Sequence, residues 1–169
     1  MIVMKSPAQK PRVYIETTII SYFTSKPSND LLVLSRQRIT EEWWTKKLPE
    51  LDCYISQAVL DEISRGDKAA ASRRLKMVSD FKLLEITPEV LKLAEHIYRK
   101  LDIPEKARTD ALHIALPAVH EIEYLVSWNC KHIVNAFLKR KLHNLIGGFG
   151  YLTPEICTPP EFLENDDVA

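Results

Sequence analysis

The sequence predicts a single α/β domain with a mainly parallel central sheet flanked by helices on both faces. Three observations lead there. The length of 169 residues matches one compact domain. A composition of 46% hydrophobic and 27% charged residues is rich enough to bury a core. Short β-branched and aromatic runs alternate with longer segments at helical spacing, as in βαβ units whose crossovers cover a parallel sheet.

Residues 1–11 form a short basic lead-in that Pro11 closes before Val13-Tyr14-Ile15, a buried-strand pattern ending at Glu16. Thr17 and Thr18 are set to cap a helix through Ile19, Ile20, Tyr22 and Phe23, broken by Lys26-Pro27-Ser28. A second helix, capped by Ser28 or Asn29, runs to about Lys47 with Leu31, Leu32, Leu34, Ile39, Trp43 and Trp44 as its apolar positions. Beyond Pro49, Cys53-Tyr54-Ile55 is a second strand, and Ser56 starts a helix carrying Val59, Leu60, Glu62 and Ile63. Gly66 ends that helix, and Asp67 caps the next, which extends to about Asp80.

Leu83 to Ile86 is a third strand, and Thr87-Pro88 opens a helix to Leu101 whose apolar residues keep i, i+3, i+4 spacing over three turns. After Pro104 a helix from Ala107 to Val119 contains Asp110, with Pro117 expected to end or kink it. Tyr124-Leu125-Val126 is a fourth strand leading into Ser127-Trp128-Asn129, followed by a short helix through Ile133, Phe137 and Leu138. Past Gly147-Gly148-Phe149-Gly150, Glu155-Ile156-Cys157 is a last edge strand, and the acidic tail 161–169 is expected to fray. One domain thus covers 1–169, with its core over about 12–160.

Composition removes several function classes. Lys plus Arg number 23 and Asp plus Glu 23, so nucleic-acid binding would need a local patch rather than a global field. The four glycines, Gly66, Gly147, Gly148 and Gly150, supply no glycine-rich phosphate loop near the first strand. Cys53, Cys130 and Cys157 are odd in number and widely spaced, which fits neither a disulfide framework nor a Cys-x-x-Cys site and suits a reducing cytoplasm. The apolar run Met1 to Met4 is too short for a signal-peptide core, and no membrane-span pattern occurs, so the expected location is cytoplasmic. The five histidines show no metalloprotease spacing, and no Gly-x-Ser-x-Gly elbow is present.

Open parallel sheets bind ligands beyond the carboxyl ends of their strands. Glu16 and Asn129 end predicted strands, Glu62 lies about two turns into the helix after Ile55, and Asp110 is in the first turns of its helix. A carboxylate ending an apolar strand is costly to bury unless it is paired or metal-bound, and Mg²⁺ or Mn²⁺ would prefer such oxygen donors. Plainer roles are also open. Glu16 can pair with Arg12, Glu62 with Arg65 or Lys68, Asp110 with its helix dipole, and Asn129 can cap a helix.

Four segments occur in this order: Val13-Tyr14-Ile15-Glu16-Thr17-Thr18, Ile55 to Ile63 with Asp61-Glu62, Arg108-Thr109-Asp110-Ala111-Leu112-His113-Ile114-Ala115, and Leu125-Val126-Ser127-Trp128-Asn129. Together they resemble the PIN domain over residues 12–160, and more narrowly the VapC-type toxins of bacterial toxin–antitoxin pairs. The resemblance implies a PIN-like three-layer α/β/α fold and a Mg²⁺- or Mn²⁺-dependent endoribonuclease in which a water activated at the metal attacks an RNA phosphate. It implies Glu16, Glu62, Asp110 and Asn129 as the catalytic set, with Asp110 and Glu16 as metal ligands. Glu62 would be a ligand through water or a base, Asn129 would orient water, and Thr17 would hydrogen-bond the site or the phosphate.

The chain departs from the family pattern where Glu16 and Asn129 stand for aspartates and Lys131 for another acid. Metal affinity is therefore expected to be lower than at a four-acid site. Lys131, Lys139, Arg140 and Lys141, with His132 and His143, form the densest basic cluster and either contact RNA phosphates or make a solvated helix face. The resemblance further implies a cognate antitoxin, received by apolar surface around Tyr22, Phe23, Trp43 and Trp44, and a homodimer. The rival expectation is a catalytically weak or inactive PIN-like module that binds RNA or a protein partner.

Overall fold

The computed structural model describes residues 9–163, so the lead-in 1–8, with its Met1 to Met4 run, and the tail 164–169 lie outside the described residues. Five parallel strands form one sheet in the order β3-β2-β1-β4-β5. They are β1 (Arg12–Ile15), β2 (Asp52–Ser56), β3 (Lys82–Leu84), β4 (Tyr124–Val126) and β5 (Glu155–Cys157). β1 is central, and its Val13, Tyr14 and Ile15 are fully buried, as expected of a strand covered on both faces.

Seven helices connect them. α1 (Thr17–Thr24) and α2 (Leu31–Lys46) lie between β1 and β2, and α3 (Gln57–Ile63) and α4 (Lys68–Met77) between β2 and β3. α5 (Pro88–Lys100) and α6 (Arg108–Val119) precede β4, and α7 (Ala136–Gly148) precedes β5. Strand order advances one way from β1 to β3 and the other way through β4 and β5. With right-handed crossovers, this reversal puts α1 to α4 on one face and α5 to α7 on the other. α1 packs against α2, α3 and α4, while α5 packs against α6 and α7. The crevice at the carboxyl ends of β1 and β4 is the topological switch point, where such sheets bind ligands.

Local chemistry explains most boundaries and several differences from expectation. Glu16, rather than Thr17 or Thr18, caps α1 by accepting the Thr18 N–H, and Asp30, rather than Ser28 or Asn29, caps α2 through Val33 N. β3 is shorter than Leu83 to Ile86 and starts one residue earlier, and α4 stops at Met77. Pro117 does not end α6. The helix continues to Val119, because burial of every residue from His113 to Ala118, between the sheet and the neighbouring helices α3 and α5, outweighs one missing hydrogen bond.

The helix expected through Ile133 instead begins at Ala136, capped by Asn135, and runs on through Gly147 and Gly148. Burial of Leu142 and Ile146 offsets the low propensity of those glycines. Glu161 is not part of a frayed tail. It closes a capping box with Thr158 on the 3-10 turn Pro159–Phe162.

The aromatic surface expected to receive an antitoxin turns largely inward. Trp43 is fully buried, Phe23 stacks on Trp44 with ring centroids 4.4 Å apart, and Tyr22 meets Trp128 edge-on. Leu31 and Leu32 are the exposed apolar residues on α2. Burial pushes the Cys53 and Cys157 thiols up to about 12, as suits structural residues, whereas Cys130 is exposed. No helix among the described residues is long and apolar enough to cross a membrane.

Candidate active site

β1 and β4 end side by side, and the first residue beyond β1 is Glu16, only 3% exposed. Its Oε2 accepts hydrogen bonds from Thr18 N at 3.1 Å, Thr18 Oγ1 at 2.5 Å and Ser127 Oγ at 2.7 Å, the last from the residue just past β4. Each hydroxyl is itself oriented by a backbone N–H: Thr18 Oγ1 accepts from Trp128 N and Ser127 Oγ from Asn129 N. Burial pushes the Glu16 pKa up, only partly countered by the charge of His113 and these hydrogen bonds. Arg12, the sequence's candidate partner for Glu16, instead sits at the amino end of β1 and pairs with Glu123.

Asn129 continues the chain of contacts. Its Oδ1 accepts from His132 N at 3.1 Å and fixes the turn after β4; the helix-capping role expected of it is not found, since no helix starts there and the N-cap of α7 is Asn135. That turn delivers His132 Nδ1 to within 2.7 Å of Asp110 Oδ2 in the first turn of α6. One turn further along α6, His113 is fully buried, with Nε2 2.5 Å from Glu62 Oε1 and Nδ1 2.8 Å from Tyr14 Oη. Tyr14 Oη is also 2.8 Å from Ser56 Oγ. Two hydrogen-bonded chains therefore flank the crevice: Glu16–Ser127–Asn129–His132–Asp110, and Ser56–Tyr14–His113–Glu62.

His113 joins the two electrically. Its burial lowers the pKa, but the hydrogen bond to Glu62 and the charges of Glu16, Glu62 and Asp110 outweigh burial and raise it. Glu62 shows the converse balance: burial raises its pKa, while the hydrogen bond and charge of His113 bring it below the usual range. Neither Arg65 nor Lys68 forms an ion pair with Glu62 among the described residues, although Arg65 adds a weak long-range attraction. Burial pushes the Tyr14 phenol far up, so it stays protonated.

The structure thus brings Glu16, Glu62, Asp110 and Asn129 to one crevice. It adds His113, for which the sequence suggested no role in the site, and His132, which the sequence placed in a basic cluster. A signal existed for both: Asp110 and His113 are three residues apart on one helix, and Asn129 and His132 are three apart across a turn. Thr17 Oγ1 is buried without a hydrogen bond of normal geometry. Lys131, Arg140 and Lys141 are exposed and Lys139 partly so, none of them bonded into the two chains.

The donor chemistry fits a hard divalent ion. Each carboxylate has one oxygen held by the protein, and no hydrogen bond is made to Glu16 Oε1, Glu62 Oε2 or Asp110 Oδ1 among the described residues. The three-carboxylate ligand set is not preassembled: among the described residues no three His, Cys, Asp or Glu side chains converge into a cage. The reason is visible in the contacts, since Glu62 is drawn to His113 and Asp110 to His132. One or two direct carboxylates completed by water is the coordination Mg²⁺ tolerates well.

The PIN-domain family model matches residues 13–129, more than half of the chain and all four site segments. The chain belongs to the PIN-domain family. A search of curated proteins finds no significant match. Among solved structures, this PIN domain is similar to VapBC2 from Rickettsia felis bound to a promoter DNA fragment, at 15% identity and a TM-score of 0.54, covering 87% of this chain and 98% of that one. It is similar to Mycobacterium tuberculosis VapC20, described as a sarcin–ricin loop cleaving toxin, at 15% identity and 0.51, covering 83% and 96%. It is also similar to VapBC-1 from nontypeable Haemophilus influenzae at 12% identity and 0.52, covering 88% and 98%. At these identities the likeness is one of fold, and it matches the three-layer α/β/α architecture described above.

Proposed function

We propose that this PIN domain is an endoribonuclease dependent on Mg²⁺ or Mn²⁺, the toxin of a toxin–antitoxin pair acting in the cytoplasm as a homodimer. The observation that carries the reading is that Glu16, Glu62 and Asp110 line one crevice without closing into a cage, each with one oxygen oriented by a protein group. The fold shared with VapC toxins, one of them described as cleaving the sarcin–ricin loop and others solved as VapBC, supports an RNA substrate and a cognate antitoxin.

When bound, the ion supplies positive charge for the phosphate and acidifies a water. The protein's own groups do the rest. Asp110 and Glu16 hold the ion, Asp110 aimed by His132 and Glu16 by Thr18 and Ser127. The low pKa of Glu62 favours a ligand role, direct or through water, over that of a base, because a weakly basic carboxylate takes a proton poorly. Asn129, its carbonyl oxygen committed to His132 N, sets the loop, and its amide N–H₂ would orient a water. The basic residues Lys131, Lys139, Arg140 and Lys141 bind substrate, while Thr17, whose hydroxyl is buried, acts on Glu62 within the site.

A second reading, a catalytically weak or inactive PIN module, is favoured by the lack of a preassembled cage. Incubating the protein with an RNA panel under Mg²⁺, Mn²⁺ or EDTA, beside Asp110→Asn, separates the two. Cleavage that needs both metal and Asp110 supports the nuclease; folded protein that cuts nothing with either ion leaves the module.

A further inference from the structure

α7 carries an anomaly that the proposed chemistry does not use. Its inner face is regular, with Leu142 and Ile146 fully buried and Leu138 partly so. Its outer face presents Phe137, Arg140, Lys141 and Asn144 at i, i+3, i+4 and i+7, all exposed, so they line one stripe. Phe137 is 85% exposed on an otherwise ordinary amphipathic helix, and no described residue covers it.

Charge singles out this stripe as well. From Tyr124 to Pro154 the chain contains no Asp or Glu, while Lys131, Lys139, Arg140 and Lys141 fall within it, in a protein whose formal net charge is +0. The start of the stripe is also tethered close to the acids. His132, which touches Asp110, lies five residues before Phe137, at most about 18 Å of extended chain. One bound strand can therefore touch both.

We infer that Phe137, Arg140 and Lys141 form a subsite for single-stranded RNA, in which Phe137 stacks on an unpaired base and the two cations hold flanking phosphates. An aromatic interleaved with basic residues is what such a strand needs, because every base offers a π face and every phosphate a charge. Paired RNA keeps its bases stacked internally and cannot use Phe137. An acidic peptide would satisfy the cations and leave the ring without a partner of its own kind. The inference rests on the ribonuclease reading for its substrate class.

The test uses the full chain carrying Asp110→Asn, to stop cleavage, with a short labelled oligouridylate as probe. Phe137→Ala should weaken binding about tenfold, with Phe137→Tyr restoring it. Arg140→Ala and Lys141→Ala should each reduce the slope of log affinity against log salt by about 0.7. In the background with Asp110 intact, Phe137→Ala should raise KM and leave kcat unchanged. Equal oligouridylate affinity with and without Phe137 overturns the subsite while metal-dependent cleavage by the parent protein still upholds the nuclease. Phe137-dependent binding by a protein that never cleaves upholds the subsite and sinks the nuclease. Poly-glutamate binding as tightly as oligouridylate, with the same dependence on Phe137, makes the stripe a protein-docking face and overturns the inference.

Discussion

At the amino end of the sheet, Asp52 lies 2.7 Å from Lys82 and Glu123 binds Arg12, whereas at the carboxyl end Glu16, Glu62 and Asp110 have no Lys or Arg ion-pair partner among the described residues. The pKa directions diverge accordingly. The hydrogen bond from Lys82 draws Asp52 below its usual value, while burial pushes Glu16 above its own. Acids at the amino end are neutralised in place and partly wet, an arrangement worth little in stability or in chemistry. Those at the carboxyl end are oriented by hydroxyls, amides and histidines, which fix direction without a permanent countercharge. A cluster held in that way has capacity left for a cation, and the contrast separates ion-paired carboxylates from those of the candidate site within one sheet.

The comparison breaks most directly at Asp110. Asp110→Asn should reduce metal-dependent RNA cleavage to background while leaving the circular dichroism spectrum unchanged, because the amide oxygen still accepts from His132; retained cleavage would remove Asp110 from the chemistry. Tyr14→Phe comes next. Removing the hydroxyl shared by Ser56 and His113 leaves two buried polar groups short of a partner and should lower stability by about 1–3 kcal/mol in urea denaturation. No change in midpoint would mean that the buried chain is decorative.

Asn129→Asp sharpens the electrostatic side. It keeps an oxygen for His132 N and adds a negative charge, so Mn²⁺ affinity by calorimetry should rise by roughly tenfold, the lower range for groups around a metal site. A loss, or no gain, contradicts the charge argument. The smallest effect belongs to the amino end. Asp52→Asn should leave cleavage unchanged and shift the denaturation midpoint only slightly. Because the folded-state pKa of Asp52 is depressed, its contribution is present above the ordinary value of 3.8 and is lost as pH falls through the folded value. The midpoints of parent and variant should therefore converge in acid, and a difference that grows there would overturn the assignment.

Much of this architecture was legible because it is local. Thr87-Pro88 opened α5 as expected, and Val13-Tyr14-Ile15 forms the central strand. Position near strand and helix ends also drew attention to Glu16, Glu62, Asp110 and Asn129, but only the family resemblance joined them into a candidate site. The misreadings come from the same source: Pro117 and Gly147-Gly148 punctuate a helix when judged alone, yet burial carries α6 and α7 through them.

By itself, then, the sequence determined the α/β class, the order of elements and the residues beyond the strand ends, since hydrophobic period, caps and breakers act over a few residues. The tertiary structure alone decided the partner of each carboxylate. Ser127 reaches Glu16 across 111 positions, His113 reaches Glu62 across 51 and His132 reaches Asp110 across 22. Such contacts exist only once β4 returns to pair beside β1, reversing the strand order and bringing distant segments to one crevice, and no local pattern encodes which donor will face which oxygen.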